Sequence, residues 1–227
     1  MKKVIVLLSV LSLMSCKPTS FALVEANDKI HRLIISEKPP KQVTNTQEVT
    51  GISGWSLESM TISPNCAYGV IGLLDRDDFD GHQTDAEIRI YNLLQNKPLQ
   101  VLDNDDITQL IKDGTGLKYD DRDIAYIVFG FAWKTVDEVI MEIQPILHPS
   151  IESLPQNVSL VYDVGSKQVV EAQFYSRTAT SPISAGNFPD NYVYSYSVDN
   201  GNLIIEGNIV QNDPNGIKKA AVATLKK

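Results

Sequence analysis

Trp55-Ser56-Leu57-Glu58-Ser59-Met60-Thr61-Ile62 alternates apolar and polar residues. That period of two belongs to a β-strand with one face buried and the other toward solvent. Ser63-Pro64-Asn65 follows, three residue types that favour a turn. Residues 67–74 then read as a more fully buried strand, and Ala86-Glu87-Ile88-Arg89-Ile90-Tyr91-Asn92-Leu93 alternates again. Gln95-Asn96-Lys97-Pro98 turns the chain, and Leu99-Gln100-Val101-Leu102 runs back. Strands joined by such short turns pair antiparallel.

The same order recurs further on. Residues 124–133 are apolar and aromatic, Lys134-Thr135-Val136-Asp137 turns, and residues 138–144 alternate. After a loop, Val158-Ser159-Leu160-Val161-Tyr162-Asp163-Val164 precedes the turn Gly165-Ser166-Lys167 and the strand Gln168-Val169-Val170-Glu171-Ala172. A looser third pass sets residues 191–198 and 203–210 around the hairpin turn Asp199-Asn200-Gly201-Asn202, and residues 220–225 are placed to close a sheet. One helix stands between the first two passes. Asp105 or Asp106 caps it, Ile107, Leu110 and Ile111 form its apolar stripe, and Gly114 ends it.

Strand, Ser-Pro-Asn turn, strand, loop, strand ending in Tyr91-Asn92 or Tyr162-Asp163, turn, strand: this order resembles the four-stranded blades of β-propellers. The two tyrosine segments lie 71 residues apart, wider than the roughly 40–50 of ordinary blades. The expected fold is therefore all-β: open or sandwiched antiparallel sheets of propeller-like units, with one short helix.

The N-terminus reads differently. Lys2 and Lys3 precede eleven uncharged, mostly apolar residues, 4–14, and Leu13-Met14-Ser15-Cys16 closes the run. Eleven residues are too few to span a bilayer as a helix, and the layout is that of a signal peptide. The closing tetrapeptide resembles the lipobox of bacterial lipoproteins. The resemblance implies that Cys16 is lipidated and becomes the first residue of the mature chain, attached to the membrane by its acyl chains. Lys17 stands where an inner-membrane-retaining aspartate occurs in that family, which implies the outer membrane, facing the periplasm. The expected organisation is signal peptide over 1–15, lipidated cysteine, tether and lead-in over 16–50, and a β-rich domain over 51–227. Residues 29–35 are an apolar piece within the lead-in, read as an edge strand, and Lys38-Pro39-Pro40-Lys41 interrupts any regular element.

The chain carries a net charge of −8; removing residues 1–15 takes away two lysines and no acids, leaving −10. An acidic chain is not built to grip nucleic acid, which requires a basic face. With Cys16 committed to lipid, Cys66 has no disulfide partner and reads as a small buried hydrophobe. His31, His82 and His148 are too dispersed for a zinc site. Asp75-Arg76-Asp77-Asp78-Phe79-Asp80-Gly81 is the densest polar run. Asp75, Asp77, Asp78 and Asp80 supply the carboxylates a calcium ion requires, without the EF-hand register, so a solvated hairpin loop remains the other reading. Two further acidic loops, 103–106 and 120–123, would join it in one acidic rim if all three lie at the same end of the sheet. Tyr192, Tyr194 and Tyr196 alternate on one strand face, either a half-buried sheet face or a recognition surface for a peptide or glycan. No nucleophile elbow, phosphate loop or dinucleotide motif occurs. Three functions fit: a non-catalytic, lipid-anchored envelope module that binds a protein or glycan, an envelope hydrolase using the loop carboxylates, and a structural envelope component.

Overall fold

A computed structural model describes residues 20–35, 43–75, 85–116, 124–147, 152–153, 156–182, 196–205, 207–212 and 216–224. They form four antiparallel sheets and one helix. Sheet I contains β1 (Ser20–Ala26), β2 (Lys29–Ile35), β3 (Val43–Gly51) and the last strand, β16 (Lys219–Thr224), in the order β16-β1-β2-β3. Sheet II is the meander β4 (Trp55–Ile62), β5 (Tyr68–Asp75), β6 (Ala86–Asn92) and β7 (Lys97–Leu102). The helix α1 (Asn104–Thr115) leads to sheet III: β8 (Ile124–Trp133), β9 (Glu138–Leu147), the short β10 (Glu152–Ser153), β11 (Gln156–Asp163) and β12 (Gln168–Ser176). Sheet IV is the meander β13 (Tyr196–Asp199), β14 (Asn202–Ile205) and β15 (Asn208–Asn212).

The all-β, antiparallel expectation is met, with α1 between the second and third sheets. The sheets pack face on face. On β1, Phe21 and Leu23 pack toward sheet II while Ala22 and Val24 pack toward sheet IV. On β5, Ile71 and Leu73 face sheet I while Val70 faces sheet III. β1 and β5 are thus buried on both faces, and each fully buried large aliphatic side chain contributes about 1.5–3 kcal/mol.

The alternation in β4 slips by one residue, since Leu57, Met60 and Ile62 all pack into the same cluster. A bulge absorbs the slip: Leu57 pairs with Leu73, Ser59 with Gly72, and Glu58 is the extra residue. Gly72 has no side chain because a Cβ there would lie 3.0 Å from the Phe131 ring and 3.1 Å from Val128. Arg89 ties sheet II to sheet I: its guanidinium lies 5.9 Å from the Trp55 ring and donates to Thr50 Oγ1 at 2.8 Å and the Gly51 carbonyl at 2.7 Å.

Three expectations are corrected. The sheet begins at Ser20, not after residue 50: β1, β2 and β3 occupy most of the stretch read as tether and lead-in, and β1 is buried throughout. The segment read as an edge strand, β2, is interior, paired with β1 on one side and β3 on the other. The helix is capped by Asp103, whose carboxylate accepts from the Asp106 N–H at 3.0 Å, and it ends on Gly116 in the left-handed region rather than on Gly114. The closing strand falls where expected: β16 pairs along β1 from Ser20↔Thr224 to Glu25↔Lys219.

Candidate functional site

Alternation along sheet III sends Val139, Met141 and Ile143 of β9 and Val158, Leu160 and Tyr162 of β11 into the core shared with sheet II. It therefore sends Glu142, Asn157 and Ser159 to the opposite face, and the register sets Ser159 beside Glu142 and Asn157 beside Tyr175 of β12. All four of these side chains are buried, Glu142 at 8% exposure. Ser159 Oγ donates to Glu142 Oε1 at 2.8 Å, and the Tyr175 hydroxyl donates to Oε2. Burial, and then the adjoining carboxylate, push the Tyr175 hydroxyl well above its ordinary pKa. Asn157 also reaches that hydroxyl, and its own Oδ1 has no partner.

This cluster holds a buried carboxylate by two hydroxyl donors. It is not arranged for nucleophilic attack. Ser159 is fully buried, and it bonds a carboxylate directly, with no imidazole between them. Its evident role is to lock the register of β9, β11 and β12, because a one-residue slip would leave the carboxylate unpaired. Sequence reading treats Glu142 as the solvent-facing member of an alternating strand. Only the paired hydroxyls of Ser159 and Tyr175 mark it as internal, and they come from strands distant in the chain.

The acidic loops are brought partly together. Asp75 ends β5, and its N–H donates to the Asp85 carbonyl at 2.9 Å. Asn104 then joins this loop to the next: its Nδ2 donates to Asp85 Oδ1 at 2.7 Å, and its Oδ1 accepts from the Ala86 N–H at 3.0 Å. The bases of the first and second acidic loops therefore share one end of sheet II. Asp103 and Asp106 serve the helix cap. Asp77, Asp78 and Asp80, like the third loop, lie outside the described residues. No group of three or more His, Cys, Asp or Glu among the described residues could hold a metal ion.

Of the three tyrosines, Tyr192 and Tyr194 lie outside the described residues. Tyr196 opens β13 at the edge of sheet IV and is 39% exposed. Val198, two residues on and so on the same face, packs against the core between sheets I and IV. The strand thus leaves the core at its start and presents an aromatic ring at the rim. Cys16 also lies outside the described residues. Cys66 is fully buried, with φ +58, and burial raises its thiol to about 12, so it is inert as a nucleophile.

No family model matches the chain, and no curated protein matches it. Among solved structures it is similar to the β-propeller domain of the Trilobed protease from Pyrococcus furiosus, which has an open velcro topology. That likeness has 12% identity and a TM-score of 0.35, over 71% of this chain and 41% of that one. It is also similar to TolB from Acinetobacter baumannii, with 10% identity and a TM-score of 0.27, over 92% of this chain and 67% of that one. The chain thus spans about two fifths of the first structure's length.

Proposed function

We propose that this chain is a lipid-anchored protein of the bacterial cell envelope, at the outer membrane and facing the periplasm, whose β domain is a non-catalytic interaction module. The observation that carries the reading is Leu13-Met14-Ser15-Cys16 closing a Lys-led apolar run. The position of β1 supports a close attachment. Ser20 is four residues beyond Cys16, and four extended residues reach at most about 14 Å. The anchored domain would lie against the lipid headgroups rather than stand off on a long tether. The rim tyrosine, Tyr196, is the surface offered to an envelope protein or glycan.

Growth with labelled palmitate tests the anchor. Label is expected on the wild-type chain and absent from Cys16→Ala; label that survives the substitution overturns it. The module reading is tested separately by a photo-crosslinking residue at Tyr196, with Val170, exposed on sheet III, as control position. A discrete adduct at Tyr196 and none at Val170 supports it. Substrate turnover by the purified chain that Asp75→Asn abolishes without unfolding would instead favour a hydrolase.

A further inference from the structure

Arg32 lies on β2, on the face of sheet I turned toward sheet II, and is only 5% exposed. A buried guanidinium is ordinarily matched by a carboxylate, because desolvating the charge costs several kcal/mol. Among the described residues Arg32 has no such match. Its one partner is a neutral amide: Nη2 donates to Gln47 Oε1 on β3, the residue opposite it in register. Its Nε has no acceptor, and no ion pair among the described residues includes it. Burial lowers its pKa, yet a guanidinium remains charged.

Nε and Nη2 form one edge of the guanidinium, the fork that takes both oxygens of a carboxylate or phosphate. Here that edge is half filled by an amide oxygen. Gln47 itself is exposed, so the group occupying the fork is also the group reachable from solvent. Alternation along β2 puts Arg32 on the face of Ile30 and Ile34, toward sheet II, and Lys29 and His31 on the other. The acids at neighbouring register positions are themselves paired: Glu48, opposite His31, with Lys29 at 2.7 Å, and Glu25, opposite Ile30, with Lys218 at 3.7 Å. A second orphan lies against the adjoining residue of β3. Asn96, from the turn after β6, donates Nδ2 to the Glu48 carbonyl at 3.1 Å and leaves its buried Oδ1 without a partner. The seam between sheets I and II thus holds two unmet polar atoms, one from β2 and one from the β6–β7 turn, whose neighbouring polar atoms bond consecutive residues of β3, Gln47 and Glu48.

We propose that Arg32 is an oxyanion-binding site, in which a carboxylate or phosphate group displaces the Gln47 amide and takes both donors of the guanidinium edge. This goes beyond the interaction-module reading, which stands or falls on Cys16 and Tyr196.

The test is the melting temperature of the purified full chain in rising sodium phosphate or sodium acetate, with ionic strength held constant by sodium chloride. A ligand bound only by the native state raises Tm in a saturable way. A rise with phosphate alone assigns a phosphate-bearing ligand; a rise with acetate as well assigns a carboxylate. Arg32→Met should abolish either rise. Gln47→Glu supplies the missing carboxylate from within the chain, so it should raise Tm by about 2–4 °C without added anion and remove the anion-dependent rise. Gln47→Glu keeps the proposal testable if Arg32→Met does not fold. No rise above chloride with either anion overturns the proposal, as does a rise that persists undiminished in Gln47→Glu.

Discussion

Glu142 is an acidic side chain held inside by two hydroxyls. Removing either donor leaves a carboxylate oxygen buried and unpaired, which costs about 1–3 kcal/mol. Tyr175→Phe and Ser159→Ala should each lower Tm by several degrees, while Tyr196→Phe at the rim should change it little. Equal melting of all three variants would show that the cluster does not hold the register. Cys66 makes a different prediction. Folding raises its thiol from 9.0 to about 12. Between those values the unfolded chain has released a proton that the folded chain keeps. Stability is therefore intact below about pH 9 and falls as pH rises, by about 1.4 kcal/mol per unit for this one group. Urea unfolding from pH 8 to 11 should show the decline, with a shallower slope in Cys66→Ala; identical slopes would contradict the assignment. Of the residues singled out from sequence, Cys66 behaves as read. Glu142 and Arg32 escape such reading, because what makes them unusual is the absence or identity of a partner on another strand.

At the scale of elements, α1 is the clearest case of local signals under tertiary control. Its stripe of Ile107, Leu110 and Ile111 is legible in sequence and packs into the core between sheets II and III. Its end is less legible, because the helix passes through Gly114 to Gly116. Gly114 is a glycine for packing: a Cβ there would sit 2.7 Å from both Ala172 Cβ and Val169 Cγ1 of β12. Alanine is the better helix former by about 1 kcal/mol, but overpacking costs about 1–3 kcal/mol. Gly114→Ala should therefore destabilise the protein despite its helix propensity; a gain in Tm would refute the close packing. At Gly116, φ is +68 and no atom lies within 4 Å of a Cβ, so Gly116→Ala carries backbone strain alone. The β4 bulge shows the same limit. Its apolar residues identify a strand, but the slip at Glu58 becomes a bulge because Leu57 before it and Met60 and Ile62 after it all pack into the cluster shared with sheet I.

At the scale of the whole molecule, the first and last of the described strands meet. β16 pairs with β1, so sheet I is completed only when the last strand arrives. The path to it is close-fitting: Ile217 N–H donates to the Gly201 carbonyl at 2.9 Å, and a Cβ at Gly201 would lie 2.7 Å from Gly216 Cα. A chain ending at residue 216 would expose the edge of β1, an apolar strand with unpaired backbone groups. Loss of the cooperative melt and aggregation are expected, with recovery on adding a peptide of residues 217–227. A truncated chain that melts like the full one would show that β16 does not hold the sheet. The sequence by itself determined the β class, the hairpins around sheets II and III, the single helix and the lipobox-like N-terminus. Each of these is written in neighbouring residues as a period of two, a turn or a spacing. The tertiary structure alone decided that β1, β2 and β3 belong to the domain, that Glu142 is internal, and that Arg32 has no counter-charge among the described residues. Those depend on strands far apart in the chain, and no local pattern records which surface a residue will meet or whether a partner will be waiting there.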